Sequence, residues 1–417
     1  MNVLVLGSGG REDAICKKIS QSNLLNHLYA VPGNPGIATV ATCTNIQPFN
    51  EPSLKAFVSE KQIDLIIPGG ETYLVEGVAN WFQNTDVFVF GPTKEATMIE
   101  SSKEFAKELM EKHSIPTAYY QSFTSYSKAI DYIENVTRPY VIKYNGLAAG
   151  KGVLVTSDIT EAKTFLKEVL EHNTMGNESV IIEEYLEGDE FSFMCFVHND
   201  IVVPMPICQD HKRLLENEQG PNTGGMGMIS PVLSIKSDTI LKSFMFIMQK
   251  TAKAMVQNNT PFTGFLYGGL IQTTDGPKVI EFNARFGDPE AEVLFELLTS
   301  DLLEIIVQLK ENKIPKPSWS LEAVCGVTLA SEGYPKGYQK GFEIKGIDDT
   351  VYQMGTAING DKLVTNGGRV LFVIGKGSSP LEAMYNVYEN IEKITFDNMI
   401  YRKDIGQKSL RGDVWKK

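Results

Sequence analysis

The stretch Val279-Ile280-Glu281-Phe282-Asn283-Ala284-Arg285-Phe286-Gly287-Asp288 decides how this chain is to be read. As a strand it alternates with period two. Ile280 and Phe282 are then expected to face a core, while Glu281, Asn283 and Arg285 share the opposite face. A carboxylate and an amide carbonyl two residues apart are hard oxygen donors suited to Mg²⁺, an ion that keeps its other positions for phosphate oxygens and water. A guanidinium beyond them can take up charge developing on a transferred phosphoryl group. The bland alternative is an amphipathic edge strand with a solvated face. Whether the chain also holds a nucleotide site decides between the two.

Working outward, composition sets the bounds. The 417 residues call for two to four domains, and 42% hydrophobic with 22% charged residues is ordinary for a globular enzyme. A net charge of −12 argues against a general binder of nucleic acid or anionic membrane, though a local cluster of cations can still hold a small phosphorylated substrate. Cys16, Cys43, Cys195, Cys208 and Cys325 are odd in number and scattered, with no CxxC pair. They read as structural thiols of a reducing compartment. The chain runs straight into Asn2-Val3-Leu4-Val5-Leu6-Gly7 with no basic leader, and no apolar run is long enough to cross a bilayer. A soluble cytoplasmic protein without a membrane or nucleic-acid partner is expected, acting as a monomer.

Residues 1–100 read as repeated βα units. Val3 to Leu6, Leu28 to Val31, Asp64 to Ile67 and Val87 to Phe90 are short apolar runs closed by Gly or Pro. Helical patterns cover Asp13 to Ser20, Leu54 to Glu60 and Leu74 to Phe82. The expected fold is a doubly wound parallel α/β domain with ligands beyond the carboxyl ends of its strands. Those ends are Gly7 to Arg11, Pro32 to Gly36 and Pro68 to Glu71. One helix is expected from Thr93 through Lys112. A compact α+β segment from Ile115 to Leu186 follows, then a larger mixed segment to about residues 301–309. Lys313 to Ser318 is a linker, and a small α+β domain occupies 321–417, with strands at Ala323 to Leu329 and Arg369 to Ile374 and a helix at Ser379 to Ile394.

Several segments invite nucleotide chemistry. Gly7-Ser8-Gly9-Gly10-Arg11-Glu12 has Glu where a dinucleotide fingerprint needs its last Gly, so an amide turn holding a single phosphate beside Arg11 fits better. Asn145-Gly146-Leu147-Ala148-Ala149-Gly150-Lys151-Gly152 is not a P-loop: it is one residue short, and Gly follows the lysine. Its flanks, Pro139 to Tyr144 and Val153 to Thr156, are β-rich, so it is a glycine loop between strands that can close over phosphates, with Lys143 reaching them from below. Ser179 to Leu186 is a strand ending in the acidic turn Glu187 to Glu190, a place for an adenine and its ribose. Asp210-His211-Lys212-Arg213 concentrates charge after the apolar run Ile201 to Ile207. The loop Pro221-Asn222-Thr223-Gly224-Gly225-Met226-Gly227 offers backbone amides to a carboxylate or acyl phosphate, with Met226 and Met228 as packing. His27, His113, His172 and His198 are scattered and read as surface or capping residues.

Taken in order, Lys143 with Gly146-Leu-Ala-Ala-Gly-Lys151-Gly, Glu183-Glu-Tyr-Leu and Val279-Ile-Glu281-Phe-Asn283-Ala-Arg285-Phe-Gly-Asp288-Pro-Glu resemble the ATP-grasp superfamily. Within it, Gly9-Gly-Arg-Glu12, Gln209-Asp-His-Lys-Arg213, Pro221 to Gly227 and Asn366-Gly-Gly-Arg-Val370 are similar to the phosphoribosylamine–glycine ligase family, from residue 1 to about 412. The resemblance implies an N-terminal α/β domain, an ATP-grasp core with a lid, and a small C-terminal domain. It implies Glu281 and Asn283 as ligands of Mg²⁺ (Mn²⁺ as the alternative). ATP would meet Lys103, Lys143, Gly150, Lys151, Gly152, Glu183, Glu184, Tyr185, Leu186 and Glu190. Glycine and 5-phosphoribosylamine would meet Gly9, Gly10, Arg11, Glu12, Glu71, Asp210, His211, Lys212, Pro221, Asn222, Thr223, Gly224 and Gly225, and Arg285, Lys151 and Asp210 would serve catalysis. Asp13 departs from the usual His after Gly-Gly-Arg-Glu, Gly70 and Tyr73 stand at usual prolines, and Tyr144-Asn145 replaces Ala-Asp.

The implied reaction is a two-step ligation through glycyl phosphate, with charge neutralisation, positioning and exclusion of water in place of a side-chain nucleophile. The rivals are an ATP-grasp carboxylase activating bicarbonate and a non-catalytic nucleotide sensor.

Overall fold

A computed structural model describes residues 1–146, 152–172, 174 and 179–410. The N-terminal region is a five-stranded parallel sheet in the spatial order Thr42–Cys43, His27–Pro32, Asn2–Gly7, Leu65–Pro68, Phe88–Val89. Alternation in the central strand explains why it is doubly wound. Val3 and Val5 join one core, whereas Leu4 and Leu6 join another on the opposite face. The first core runs on into Phe265, Phe286 and Phe295, so one face of this sheet is sealed by the middle of the chain. Strand order reverses at Asn2–Gly7, which places the loops after it and after Leu65–Pro68 at a crevice facing the rest of the molecule.

Two expected helices are broken. Leu74 to Phe82 is split at Gly77, whose φ of +85° is left-handed, into Glu71–Glu76 and Val78–Trp81. Thr93 to Lys112 is split at Ser102 into Lys94–Ser101 and Lys103–Lys112. Ser102 is extended, and its hydroxyl accepts from Phe105 N at 3.2 Å as an N-cap. Apolar periodicity runs through both breaks, so it could not reveal them. The short strand Thr42–Cys43 carries no apolar run and was not expected.

The middle of the chain builds two four-stranded sheets. One has the order Tyr120–Phe123, Val180–Glu183, Tyr140–Tyr144, Val153–Thr156, with helices Tyr126–Ile133 and Ile159–Leu170 packed on it around their own core. The other is antiparallel: Ile201–Pro204, Asp189–His198, Thr263–Thr273, Gly276–Asn283. The cleft between them is closed at its back by Thr117, whose hydroxyl donates to Val279 O at 2.9 Å.

The last sheet is not confined to the C-terminal region. Its order is Gln209–Asp210, Gly227–Ser230, Ala323–Ser331, Arg369–Gly377, Val351–Gln353, with helix Pro380–Ile391 packed on the central strands. Two strands are therefore lent by the middle of the chain. Arg402, 2% exposed, ties the end of the chain to the same hairpin: it donates to Arg213 O, Glu218 and Asp404. No helix among the described residues is long and apolar enough to cross a membrane.

Candidate active site

Strand Gly276–Asn283 carries a β-bulge. Glu281 faces Gly269 and Val279 faces Leu270, leaving Ile280 unpaired. The register corrects the simple alternation: Val279 and Phe282 are buried, and Ile280 is half-buried against the cleft. Glu281 and Asn283 still share a face, opposite Gly269 and Tyr267. Burial raises the Glu281 carboxyl, but Lys212, Lys143, Lys103 and Arg285 together hold it below the ordinary carboxylate value. It is ionised at neutral pH. Neither side chain makes a hydrogen bond or ion pair among the described residues, so both keep their oxygens for a ligand.

Cations gather on the side of the cleft nearer the Tyr120–Thr156 sheet. Lys103 Nζ donates to Gly146 O at 2.9 Å, and burial lowers its pKa against the pull of Glu281. Lys143 Nζ sits 2.9 Å from Glu183 Oε2 and donates to Ile280 O at 3.0 Å. Glu183 does not reach outward to an adenine, as the sequence pattern implied. It is 7% exposed and paired with Lys143 and Lys107: Val180 and Ile182 pack under the helices, so Glu183 falls on the opposite face of the sheet, the face that carries Lys143. Glu184 is exposed, accepting from Tyr119 N and Lys278, and Tyr185 is also exposed beside half-buried Leu186. That edge is open. Gly152 pairs through its carbonyl with Tyr144 N at 2.7 Å, whereas Gly150 and Lys151 lie outside the described residues.

Arg285 lies beyond the oxygen donors, held by Glu100 at 3.2 Å and Glu71 at 3.4 Å, with Nη1 donating to Phe286 O. Burial disfavours its charge, but Glu100 and Glu71 more than restore it. Glu100 also accepts from Ala284 N at 2.7 Å, which fixes the strand that presents Arg285.

The other end of the cleft is acidic. Asp210, Lys212, Tyr267, Ser192, Glu190 and Ile280 line a cavity of about 10 Å³, room for one water. Ser192 Oγ donates to Glu290 Oε1 at 3.0 Å and meets Tyr267 OH at 3.1 Å. Asp210 Oδ1 is buried without a partner. Burial, then repulsion from Glu290, pushes the Asp210 carboxyl up to about 7, and burial raises Glu290 as well. Both carboxyls are thus held above the ordinary carboxylate value. Glu190 is exposed, 3.9 Å from Lys212.

Amides of both expected nests already have partners within the protein. Gly9 N donates to Glu12 Oε2 at 2.6 Å, and Glu12 Oε1 holds Arg11 Nε at 2.7 Å. Glu292, fully buried with both oxygens unpartnered, lies against Gly10, where a Cβ would meet it at 2.2 Å. Three carboxylates, counting Asp288, thus crowd a helix start expected to receive phosphate. Arg11 Nη1 donates to Phe286 O at 3.1 Å, and Nη2, near Gly70, makes no hydrogen bond among the described residues. In the second loop Thr223 N, Gly224 N and Gly225 N donate to Lys212 O, Tyr334 OH and Thr223 Oγ1. Pro221 and Asn222 are exposed on the short strand Gln219–Asn222. His211 is not a wall of the cleft: it is 1% exposed, Nδ1 faces Gly227 O, and Nε2 accepts from Gly406 N at 3.0 Å. Asp13 points away from the crevice and accepts from Gln353 N at 2.8 Å, joining the first helix to the C-terminal sheet.

Glu100, Ser192, Tyr267, Glu290 and Arg369 were not picked out as site residues. Glu290 had a signal, three residues past Gly287 in the decisive stretch. Arg369 had one in Asn366 to Val370; its guanidinium is 2.9 Å from Asp288 and donates to Gly224 O. Ser192, Tyr267 and Glu100 had none, since each sits in an ordinary strand or helix pattern.

Family models describing the N domain, the ATP-grasp (A) domain and the C domain of phosphoribosylglycinamide synthetase match residues 1–100, 101–291 and 324–408. The chain belongs to the phosphoribosylglycinamide synthetase family. A phosphoribosylamine–glycine ligase of Halalkalibacterium halodurans is 47% identical over 417 residues, 98% of this chain and 97% of that one. The crystal structure of the Thermotoga maritima phosphoribosylamine–glycine ligase superposes with a TM-score of 0.86 at 34% identity, covering 97% of this chain and all of that one. The biotin carboxylase domain of a Hydrogenobacter thermophilus 2-oxoglutarate carboxylase shares the fold at 14% identity, with a TM-score of 0.70. ATP-grasp enzymes use ATP with a divalent metal ion. The donor set fits: one ionised carboxylate and one amide oxygen on one strand face. No cluster of three or more His, Cys, Asp or Glu side chains that could hold a metal ion exists among the described residues, and a Mg²⁺ here would take its other ligands from water or phosphate oxygens.

Proposed function

We propose that this chain joins glycine to 5-phosphoribosylamine at the expense of ATP, giving glycinamide ribonucleotide, ADP and phosphate. The observation that carries the reading is the position of Glu281 and Asn283 on one strand face, between a lysine-lined end and an acidic end of one cleft.

Lys103 and Lys143 draw the phosphates in, and the open edge at Glu184, Tyr185 and Leu186 receives the adenine, with Glu190 for the ribose. Glu281 and Asn283 would hold Mg²⁺, with Mn²⁺ as a substitute, and that ion would supply positive charge against the nucleotide phosphates. Arg285 presents its guanidinium to the transferred group. Glycine's carboxylate attacks the γ-phosphorus, and the Asp210–Glu290 pair, once ionised, holds its ammonium. The amine of phosphoribosylamine then attacks the acyl carbon of glycyl phosphate and phosphate leaves. Lys151 joins this account only through the sequence motif. We place the phosphoribosyl end against residues 1–100, with Arg11 rather than the amide turn as its cation, and Glu71 beside it. The ATP-grasp region spans 101–320, its lid about 117–187, and the C-terminal region spans 321–417. The protein works as a cytoplasmic monomer in this reading.

The test is ADP release with glycine, phosphoribosylamine and bicarbonate omitted or supplied in turn. Turnover that needs both glycine and phosphoribosylamine supports the ligase. ADP release driven by bicarbonate without glycine would replace it with a carboxylase.

A further inference from the structure

Lys107 lies one turn beyond Lys103 on helix Lys103–Lys112 and is 2% exposed. A lysine that deep needs partners, because an unpaired buried ammonium costs several kcal/mol. It has three: Thr117 Oγ1 at 2.8 Å, Ala118 O at 3.3 Å and Glu183 Oε2 at 3.3 Å. The same Glu183 oxygen lies 2.9 Å from Lys143, which in turn donates to Ile280 O at 3.0 Å. One row of contacts thus links the helix, the end of strand Val180–Glu183, strand Tyr140–Tyr144 and the bulge of the strand that bears Glu281. Two ammonium groups share one carboxylate, so the row carries a surplus positive charge away from bulk water.

We infer that Lys107 is a positioning residue for nucleotide binding: it holds Glu183 from the far side, so that Lys143 stays at the Ile280 carbonyl with its charge available to phosphate. The inference rests on the reading that Lys143 serves ATP. If Lys107 were absent or neutral, Glu183 would neutralise Lys143 one for one and the surplus would vanish. The other groups facing Lys107 do not replace it. Glu184 is paired with Lys278 at 3.1 Å, and Tyr120 presents its ring at 5.5 Å while its phenol donates to Glu111.

A pH signature follows. Burial, opposed by Glu183, brings Lys107 down to about 8. Below that pH the surplus charge is present; above it the proton leaves and the surplus is lost. Affinity for an anionic nucleotide should therefore fall as pH rises through about 8.

The experiment is calorimetric titration of the full-length protein with a non-hydrolysable MgATP analogue between about pH 7 and 9.5. It compares wild type, Lys107→Met, Lys107→Arg and Lys143→Met, with thermal melts to confirm folding. Lys107→Met should bind about tenfold more weakly at pH 7 and lose the pH dependence, the loss of one charged hydrogen-bonding group. Lys107→Arg, charged throughout, should bind at pH 9.5 as it does at pH 7. A folded Lys107→Met with unchanged affinity, or with weaker binding but the wild-type pH dependence, would overturn the inference. If neither Lys107 variant folds, a wild-type affinity that is flat across the range overturns it. Unchanged binding in Lys143→Met sinks the ATP assignment itself, whereas weakened Lys143→Met beside unaffected Lys107→Met sinks only the role of Lys107.

Discussion

Glu281 and Glu290 are carboxylates on neighbouring elements of one cleft, yet their surroundings drive them to opposite chemistry. Around Glu281, burial is outweighed by Lys212, Lys143, Lys103 and Arg285, and the group stays ionised. Around Glu290, burial dominates, Asp210 is close enough to titrate with it, and both rise, Asp210 to about 7. One end of the cleft is thus an oxygen ligand in a field of cations. The other is a pair of buried carboxyls with raised pKa values, which we propose as the seat of glycine's ammonium. The residue type is the same, and what separates the roles is whether the field of the surrounding cations outweighs the cost of burial.

Substitutions at the two ends should separate accordingly. The largest effect is expected from Glu281→Gln, which removes the ionised ligand: kcat should fall by roughly 10³-fold or more while nucleotide binding without metal persists. Near-normal turnover at low Mg²⁺ would remove the distinction between the ends. Arg285→Lys comes next. A point charge cannot span Glu71 and Glu100 as a planar fork does, so kcat should drop by about 10–100-fold, and an unchanged kcat would take Arg285 out of phosphoryl transfer.

At the acidic end, kcat/KM for glycine should rise as pH rises through about 7, because an ammonium needs the Asp210–Glu290 pair ionised. Asp210→Asn should lose that limb and raise KM for glycine about tenfold, with ATP little affected. The same raised pKa carries a stability sign. The folded state holds its proton more tightly than the unfolded chain, so Asp210 favours folding at low pH and that contribution is lost as pH climbs through about 7. Asp210→Asn should therefore melt at a higher temperature than wild type near pH 8, and a lower melting temperature there would contradict the buried acid. The smallest effect is expected at the rim. Arg11→Ala should raise KM for phosphoribosylamine by about tenfold with KM for ATP within a few-fold, the worth of one charged hydrogen bond. The reverse pattern would show that the substrates are placed on the wrong sides.

The nucleotide end was the more legible in sequence, and the reason is physical. Glu281 and Asn283 sit two apart on a strand, and period two survives the bulge for them, although it fails for Ile280. Lys143 and Glu183 stand at strand ends where motif and geometry coincide, but only the fold shows that Glu183 turns inward to two lysines. The acidic end was less legible because its members come from four elements, with Asp210 on the short strand Gln209–Asp210. Ser192 and Tyr267 face each other across paired strands, and Glu290 enters from the following helix. The glycine-rich segments misled in one respect: glycine spacing reveals a turn with free-looking amides, not that Glu12, Tyr334 or Thr223 already accept from them. The N-terminal sheet was readable strand by strand. The helix breaks at Gly77 and Ser102 were not, since apolar periodicity continues through them.

The interleaved last sheet has a consequence for how the protein is made. Strands Gln209–Asp210 and Gly227–Ser230 pair ultimately through Ala323–Ser331, and Lys408 and Ser409 then fasten Asp210 O and the Gln209 side chain. A ribosome releases the lysine strands and Glu281 long before it releases those partners, and domains assemble in the order they emerge. A nascent chain therefore acquires the proposed nucleotide-binding elements first and the ordered surroundings of Asp210 last. Premature termination after Asn283 but before the final dozen described residues would leave the proposed nucleotide-binding elements in place without the contacts that Lys408 and Ser409 make to Asp210 and Gln209.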